Sequence, residues 1–191
     1  MTASGPGPGP SPHLPHLRAL ALPAPATEAL GGYLDLLAAW SARTNLTGAR
    51  TAAERVRVLV APVLPASGLV GRRLVDVGSG SGSPGLVLAL LRPDVRVTLL
   101  EPRARRWAFL REAARAAGRP DVEVLRLRHD QYPGPPADTL TMRALALPLD
   151  ALAPLVAEGG VVLAFGAGPT VVPGWEEEAP VPGLRRLRRA R

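Results

Sequence analysis

The chain contains no cysteine, no lysine and no isoleucine, and only one asparagine, Asn45, in 191 residues. Without cysteine there are no disulfides, no thiolate metal sites and no cysteine nucleophile, and no metal is expected. No apolar run reaches membrane-spanning length, because Arg, Pro or Gly interrupts each one. The N-terminus lacks the basic, apolar, small-residue order of a secretion signal. A soluble cytoplasmic monomer with no membrane partner is therefore expected. The missing lysine also changes how the charge is read. All 23 basic residues are arginine and the net charge is +7, but Ala, Gly, Pro and Arg dominate throughout, as codon bias in a GC-rich genome produces. Arginine density is thus weak support for a nucleic-acid partner. Clustering is stronger support, and the final "RRLRRAR" carries five arginines.

What is present suits one domain with a real core. Residues 1–24 begin with "MTASGPGPGPSP" and are expected to be a disordered Pro/Gly-rich tail, which would hold His13 and His16. Residues 25–191 are expected to form the domain, with helices over 25–70 and a sheet over 71–191. Leu30, Tyr33, Leu34, Leu37 and Trp40 recur at helical spacing within Ala26–Trp40. A second helical segment is predicted from Ala52 to about Leu64, disturbed at its end by Pro62 and Pro65. Strands and helices then alternate. "LVDV", "VRVTLL", "VEVLRL", a weaker "DTLTM" and "GGVVLAF" read as strands, and "PGLVLALL", "RARRWAFLREAARAAG" and "LDALAPLV" as helices. This alternation predicts an α/β fold, a mostly parallel sheet flanked by helices. After the fifth strand one further strand is expected.

The stretch "DVGSGSGSPG", Asp76 to Gly85, joins the first strand to the first sheet-flanking helix. A glycine-rich turn there lets a ligand approach backbone amides at a helix N-terminus. Read as Gly80-x-Gly82-x-x-Gly85, it matches the dinucleotide fingerprint. Read as Asp76-x-Gly78-x-Gly80-x-Gly82, it looks like the first motif of class I S-adenosyl-L-methionine methyltransferases. Either cofactor wants a ribose-binding acid at the end of the second strand, and Glu101 supplies it. Three features favour the methyl donor. Asp76 ends its strand as a carboxylate suited to the donor's ammonium group, the chain has no room for a second mononucleotide half plus a substrate domain, and "RHD" at Arg128–Asp130 follows the third strand, where adenine would lie.

"LDLLAAWSARTNLTG" followed by "VDVGSGSGSPGLVLALLRPDVRVTLLEPRARRWAFLRE" resembles the bacterial 16S ribosomal RNA methyltransferases that modify guanine at nitrogen 7, the glucose-inhibited division protein B family. The similarity runs from about Leu30 to Gly166 and includes "MRA" at Met142–Ala144. It implies a Rossmann-like class I fold with an N-terminal helical extension, and an RNA-binding transferase acting in rRNA processing on the small ribosomal subunit. By resemblance, Asp76, Gly78, Ser79, Gly80, Gly82 and Ser83 would line the cofactor, Glu101 would bind ribose, and His129 and Asp130 would flank adenine. Arg143, at the end of the fourth strand, would sit over the methyl donor or the incoming base as the catalytic residue. Asn45 and Thr47 of "NLT" would touch substrate, or alternatively form an Asx-turn or helix cap. No general base is required, because guanine N7 carries an in-plane lone pair.

The chain departs from the family in places, and the family's usual final antiparallel pair is expected to be incomplete. The usual Arg-His-x-x-Asp-Ser keeps Arg57 but has Val58, Ala61 and Pro62, and Phe165 stands where the family has lysine before glycine. Cofactor positions survive better than polar positions expected nearer the substrate. Two other readings therefore stand beside rRNA methylation: a methyltransferase on a different substrate, and a cofactor-binding, RNA-associated protein with weak or no activity.

Overall fold

The computed structural model describes residues 9–178 and 182–190; residues 1–8 of the expected tail and Arg191 of the arginine cluster lie outside them. Seven strands form one sheet in the order β3-β2-β1-β4-β5-β7-β6. They are β1 (Arg73–Val77), β2 (Arg96–Leu100), β3 (Glu123–Leu125), β4 (Ala137–Arg143), β5 (Val156–Phe165), β6 (Trp175–Glu177) and β7 (Leu184–Arg189). β1 to β5 are parallel, whereas β7 runs antiparallel to β5 and β6. Strand order reverses between β1 and β4, so their carboxyl ends open the crevice where such sheets bind ligands.

Period-two alternation divides the core. Leu74, Leu99, Val161 and Leu163 face one layer, where α2 (Ala24–Ser41), α4 (Gly85–Leu91) and α5 (Ala104–Ala116) supply Leu30, Leu34, Leu86, Phe109 and Leu110. Val75, Val77, Leu140 and Val162 face the other, covered by α6 (Leu149–Leu152) and Trp175. Placing α2 in the first layer matters for the site, because it carries Tyr33, wholly buried, up against the glycine turn.

Three expectations are corrected. The segment expected to be tail holds α1 (Leu14–Arg18), which buries Leu14 and Leu17; His13 is itself buried, with Nδ1 2.7 Å from Asp35 Oδ1. Its leucines lie in proline-rich sequence, and only the α2 surface makes them a face. The "weaker" fourth strand is seven residues long and central, pairing with both β1 and β5. Thr139 and Thr141, both wholly buried, dilute its apolar signal. The C-terminal antiparallel pair is complete. Leu184, Leu187 and Trp175 bury there among charged neighbours, so the pattern is sparse in sequence.

The second helical segment forms as expected but changes type. α3 (Ala52–Arg55) begins in a Thr51–Glu54 capping box, then gives way to a π-helical turn over Val56–Val60 and a 3-10 run over Ala61–Leu69. Pro62 and Pro65 have no amide hydrogen to continue an α-helix.

Candidate active site

The glycine turn is held mainly by its own neighbours. The amides of Gly78 and Ser79 donate to Leu100 O at 2.9 and 3.0 Å, Gly82 N donates to Ser79 O at 2.7 Å, and Gly80 N donates to Glu101 Oε2 at 3.0 Å. The expected cradle of free amides is therefore corrected at these four positions, since each is already bonded within the protein. From the helix layer, the Tyr33 hydroxyl donates to Ser81 O at 2.7 Å, and burial pushes the Tyr33 pKa up. Two glycines have distinct reasons. At Gly85 a Cβ would lie 2.4 Å from Asp76 Cβ, so the turn packs onto the strand below it. At Gly80, with φ +51°, a Cβ would meet nothing nearer than Gly78 O at 3.6 Å and Arg106 Nη1 at 3.7 Å. Gly80 is thus the glycine that leaves space above the turn.

Two carboxylates sit under and beside this turn. Asp76 is wholly buried; its Oδ1 accepts from Thr141 Oγ1 at 2.6 Å, while Oδ2 has no hydrogen-bond partner. Burial pushes its pKa up to about 6, against the opposing effect of the Thr141 hydroxyl. Glu101, at the end of β2, is 3% exposed and accepts from Gly80 N with one oxygen and from Arg103 N at 2.9 Å with the other. Both oxygens thus tie the turn to the start of α5. His129 and Asp130 form a 3-10 turn beyond β3, one strand further out; His129 is half-buried, and exposed Asp130 pairs with Arg128 at 3.3 Å.

Arg143 ends β4. Its Nη1 donates to Ser83 Oγ at 2.9 Å and its Nη2 to Val58 O at 2.8 Å. It forms no ion pair among the described residues. Burial lowers its pKa, although a guanidinium stays charged at neutral pH. Val58 is available as an acceptor because the residue four positions on is Pro62, which has no amide to donate back. Ser83, expected to touch the cofactor, instead has its hydroxyl engaged: it donates to Leu59 O at 2.7 Å and accepts from Arg143. Its side chain positions Arg143.

Of the two roles considered for Thr47 and Asn45, the turn role is seen at Thr47. Thr47 Oγ1 accepts from Ala49 N at 3.2 Å, as a turn residue does. The exposed Asn45 side chain makes no hydrogen bond among the described residues, while its carbonyl accepts from Arg106 Nη2 at 3.3 Å. Arg106, from the first turn of α5, thereby spans from the Asn45 turn to the space over Gly80. Nothing in the sequence distinguished it from the arginines around it. Tyr33 and Thr141 were equally hidden, one within a core stripe and the other within a weak strand. Trp40 packs edge-on against Phe109, with centroids 5.8 Å apart, and Trp175 is buried, so both are packing residues.

A 3-2-1-4-5-7-6 sheet, a glycine turn after β1 and an acid closing β2 define a class I methyltransferase, whose cofactor is S-adenosyl-L-methionine. The residues present fit that molecule: there is space over Gly80, a carboxylate at the β2 end, and an unpartnered buried oxygen on Asp76. The family model for rRNA small subunit methyltransferase G matches residues 26–168, and the chain belongs to that family. Proteins carrying the name Ribosomal RNA small subunit methyltransferase G are 39% identical in Halorhodospira halophila, over 76% of this chain and 72% of that protein, and 45% identical in Paramagnetospirillum magneticum, over 71% and 68%. In fold, the chain is similar to a SAM-dependent methyltransferase from Aquifex aeolicus, with TM-score 0.53 and 19% identity over 71% of this chain and 91% of that one. No helix among the described residues is long and apolar enough to cross a membrane.

Proposed function

We propose that this chain methylates nitrogen 7 of a guanine in 16S ribosomal RNA, acting as a cytoplasmic monomer on the small ribosomal subunit. The observation that carries the reading is Arg143, a partly buried guanidinium at the mouth of the crevice with a hydroxyl and a carbonyl for partners. A guanidinium there suits O6 of guanine, the acceptor beside N7, and leaves the N7 lone pair free to attack. The bound cofactor supplies an electrophilic methyl group on a sulfonium. Guanine N7 needs no deprotonation to accept it, so the protein's work is orientation and exclusion of water. Gly80 leaves the space, Glu101 grips the sugar through its remaining lone pairs, and Asp76 takes the cationic end beneath. His129 and Asp130 flank the adenine. Ser83 and the Val58 carbonyl hold Arg143 in place, and Asn45 faces the RNA, its turn braced by Thr47. A monomer accords with the surface, since Val171 is the only large apolar side chain counted as exposed among the described residues.

The test is transfer of labelled methyl to isolated 30S subunits, followed by nuclease digestion. 7-Methylguanosine in 16S rRNA is expected. Its absence, with cofactor uptake verified by calorimetry, would overturn the reading.

A further inference from the structure

Beside the Asn45 turn the surface holds two adjoining cavities, of about 760 and 440 Å³, which share Thr47, Gly48, Ala49 and Arg50. Arg43 and Arg55 line the first and Arg57 the second. None of these four arginines forms an ion pair among the described residues, and all but Arg55 are exposed. The one carboxylate lining either cavity, Glu54, is engaged: its Oε2 accepts from Arg50 N at 2.7 Å and Thr51 N at 3.0 Å in the helix cap. Cationic side chains thus surround a continuous concavity whose single acid serves the backbone. The second cavity is also lined by Val58, whose carbonyl receives Arg143. A path therefore runs from Arg143 past Val58 and Arg57 to Arg50 and Arg43.

We propose that this trough binds the phosphates of the RNA strand flanking the target guanine, a subsite that rests on the rRNA reading above. A polyanion with one charge per nucleotide matches arginines spaced along one channel, and guanidinium forks suit phosphate oxygens. The same inference excludes Arg185, Arg186, Arg188 and Arg189 from that work. Arg185, Arg186 and Arg188 each pair with Glu177 or Glu178, and Arg189 donates to Ala153 and Val156 carbonyls.

The experiment titrates the full chain with protein-free 16S rRNA over a range of salt, comparing wild type, Arg43→Ala/Arg50→Ala and the charge-preserving Arg43→Lys/Arg50→Lys. Each phosphate contact contributes about 0.7–0.9 to the slope of log affinity against log salt. The alanine pair is expected to flatten that slope by about 1–2 and to weaken binding about tenfold or more at low salt. The lysine pair should keep most of the slope, and cofactor affinity should be unchanged in both. A wild-type slope in the alanine pair, or a weaker affinity with the slope intact, would overturn the proposal. The two readings fail separately. An active enzyme whose slope ignores Arg43 and Arg50 sinks the trough alone, while a slope carried by them without 7-methylguanosine formation sinks the target alone.

Discussion

Arg185, Arg186 and Arg188 in the β6–β7 hairpin and Arg43, Arg50 and Arg57 around the Asn45 turn are the same residue type, clustered in one place and scattered in the other, in opposite chemical situations. In the hairpin, Arg185 holds Glu177 through two bonds of 2.9 Å and reaches the Ala167 and Pro169 carbonyls at 2.8 Å. Arg188 pairs with Glu178 and donates to Gly159 O at 2.7 Å. Around the turn, the guanidinium groups have no carboxylate partner among the described residues. Arginine clustering in the sequence pointed to the hairpin, and tertiary pairing turns that cluster into a strap for the sheet edge. The scattered arginines keep their charge available. A run of one charge sign reports on partners only after its counter-ions have been located.

The largest effect comes from removing Leu184–Arg189. This strips β7 from between β5 and β6, and cooperative thermal unfolding is expected to vanish; a folded truncate that lost only RNA affinity would make the hairpin a binding tail after all. Next, Arg143→Ala should slow methyl transfer about 100-fold or more, in line with losing a positioned donor, while calorimetry finds cofactor affinity changed only a few-fold. Arg185→Ala should leave the rate per folded molecule untouched, and equal losses in both variants would erase the distinction.

A carboxylate contrast sharpens the same point. Glu177, hydrogen-bonded to Arg185, has its pKa lowered, so its stabilisation is present at neutral pH and lost as pH falls through the acid range. Asp76, buried with no arginine, is raised to about 6, so its contribution is fully present below the ordinary aspartate range and lost as pH rises through 6. Asp76→Asn should therefore raise stability at pH 8 by about 1–3 kcal/mol, flatten the stability profile between pH 4 and 6, and weaken cofactor binding. Stability unchanged at pH 8 would refute the buried charge. The smallest effect belongs to Arg185→Ala in melting experiments. A loss of about 0.5–1 kcal/mol is expected, with the salt dependence of RNA binding unaltered.

The alternation that marks β1, β2 and β5 survived into the structure because each strand's burial is written in its own residues. α2 and α5 were legible for the same reason, through stripes at helical spacing. β4 was harder to read, since Thr139 and Thr141 are buried for their pairing and for the bond to Asp76, not for hydrophobicity. The α1 segment and the hairpin were misjudged because their few apolar residues acquire a face only against α2 or β5. Within the site, Gly80, Glu101 and Arg143 stand at the turn and strand ends where the sequence pattern put them. Ser83 was expected at a different partner, because a hydroxyl's direction depends on which carbonyl stands opposite.

Local pattern alone determined the α/β alternation, the glycine turn and the acid one strand over, because backbone conformation and strand burial are short-range properties. Tertiary structure decided which arginines are neutralised, that Asp76 lies buried beneath the turn with one oxygen unpartnered, and that Pro62 leaves Val58 open to Arg143. Those outcomes depend on groups distant in the chain, up to 85 residues apart for Arg143 and Val58. Electrostatic partners are chosen by distance in space, which the order of residues along the chain does not contain.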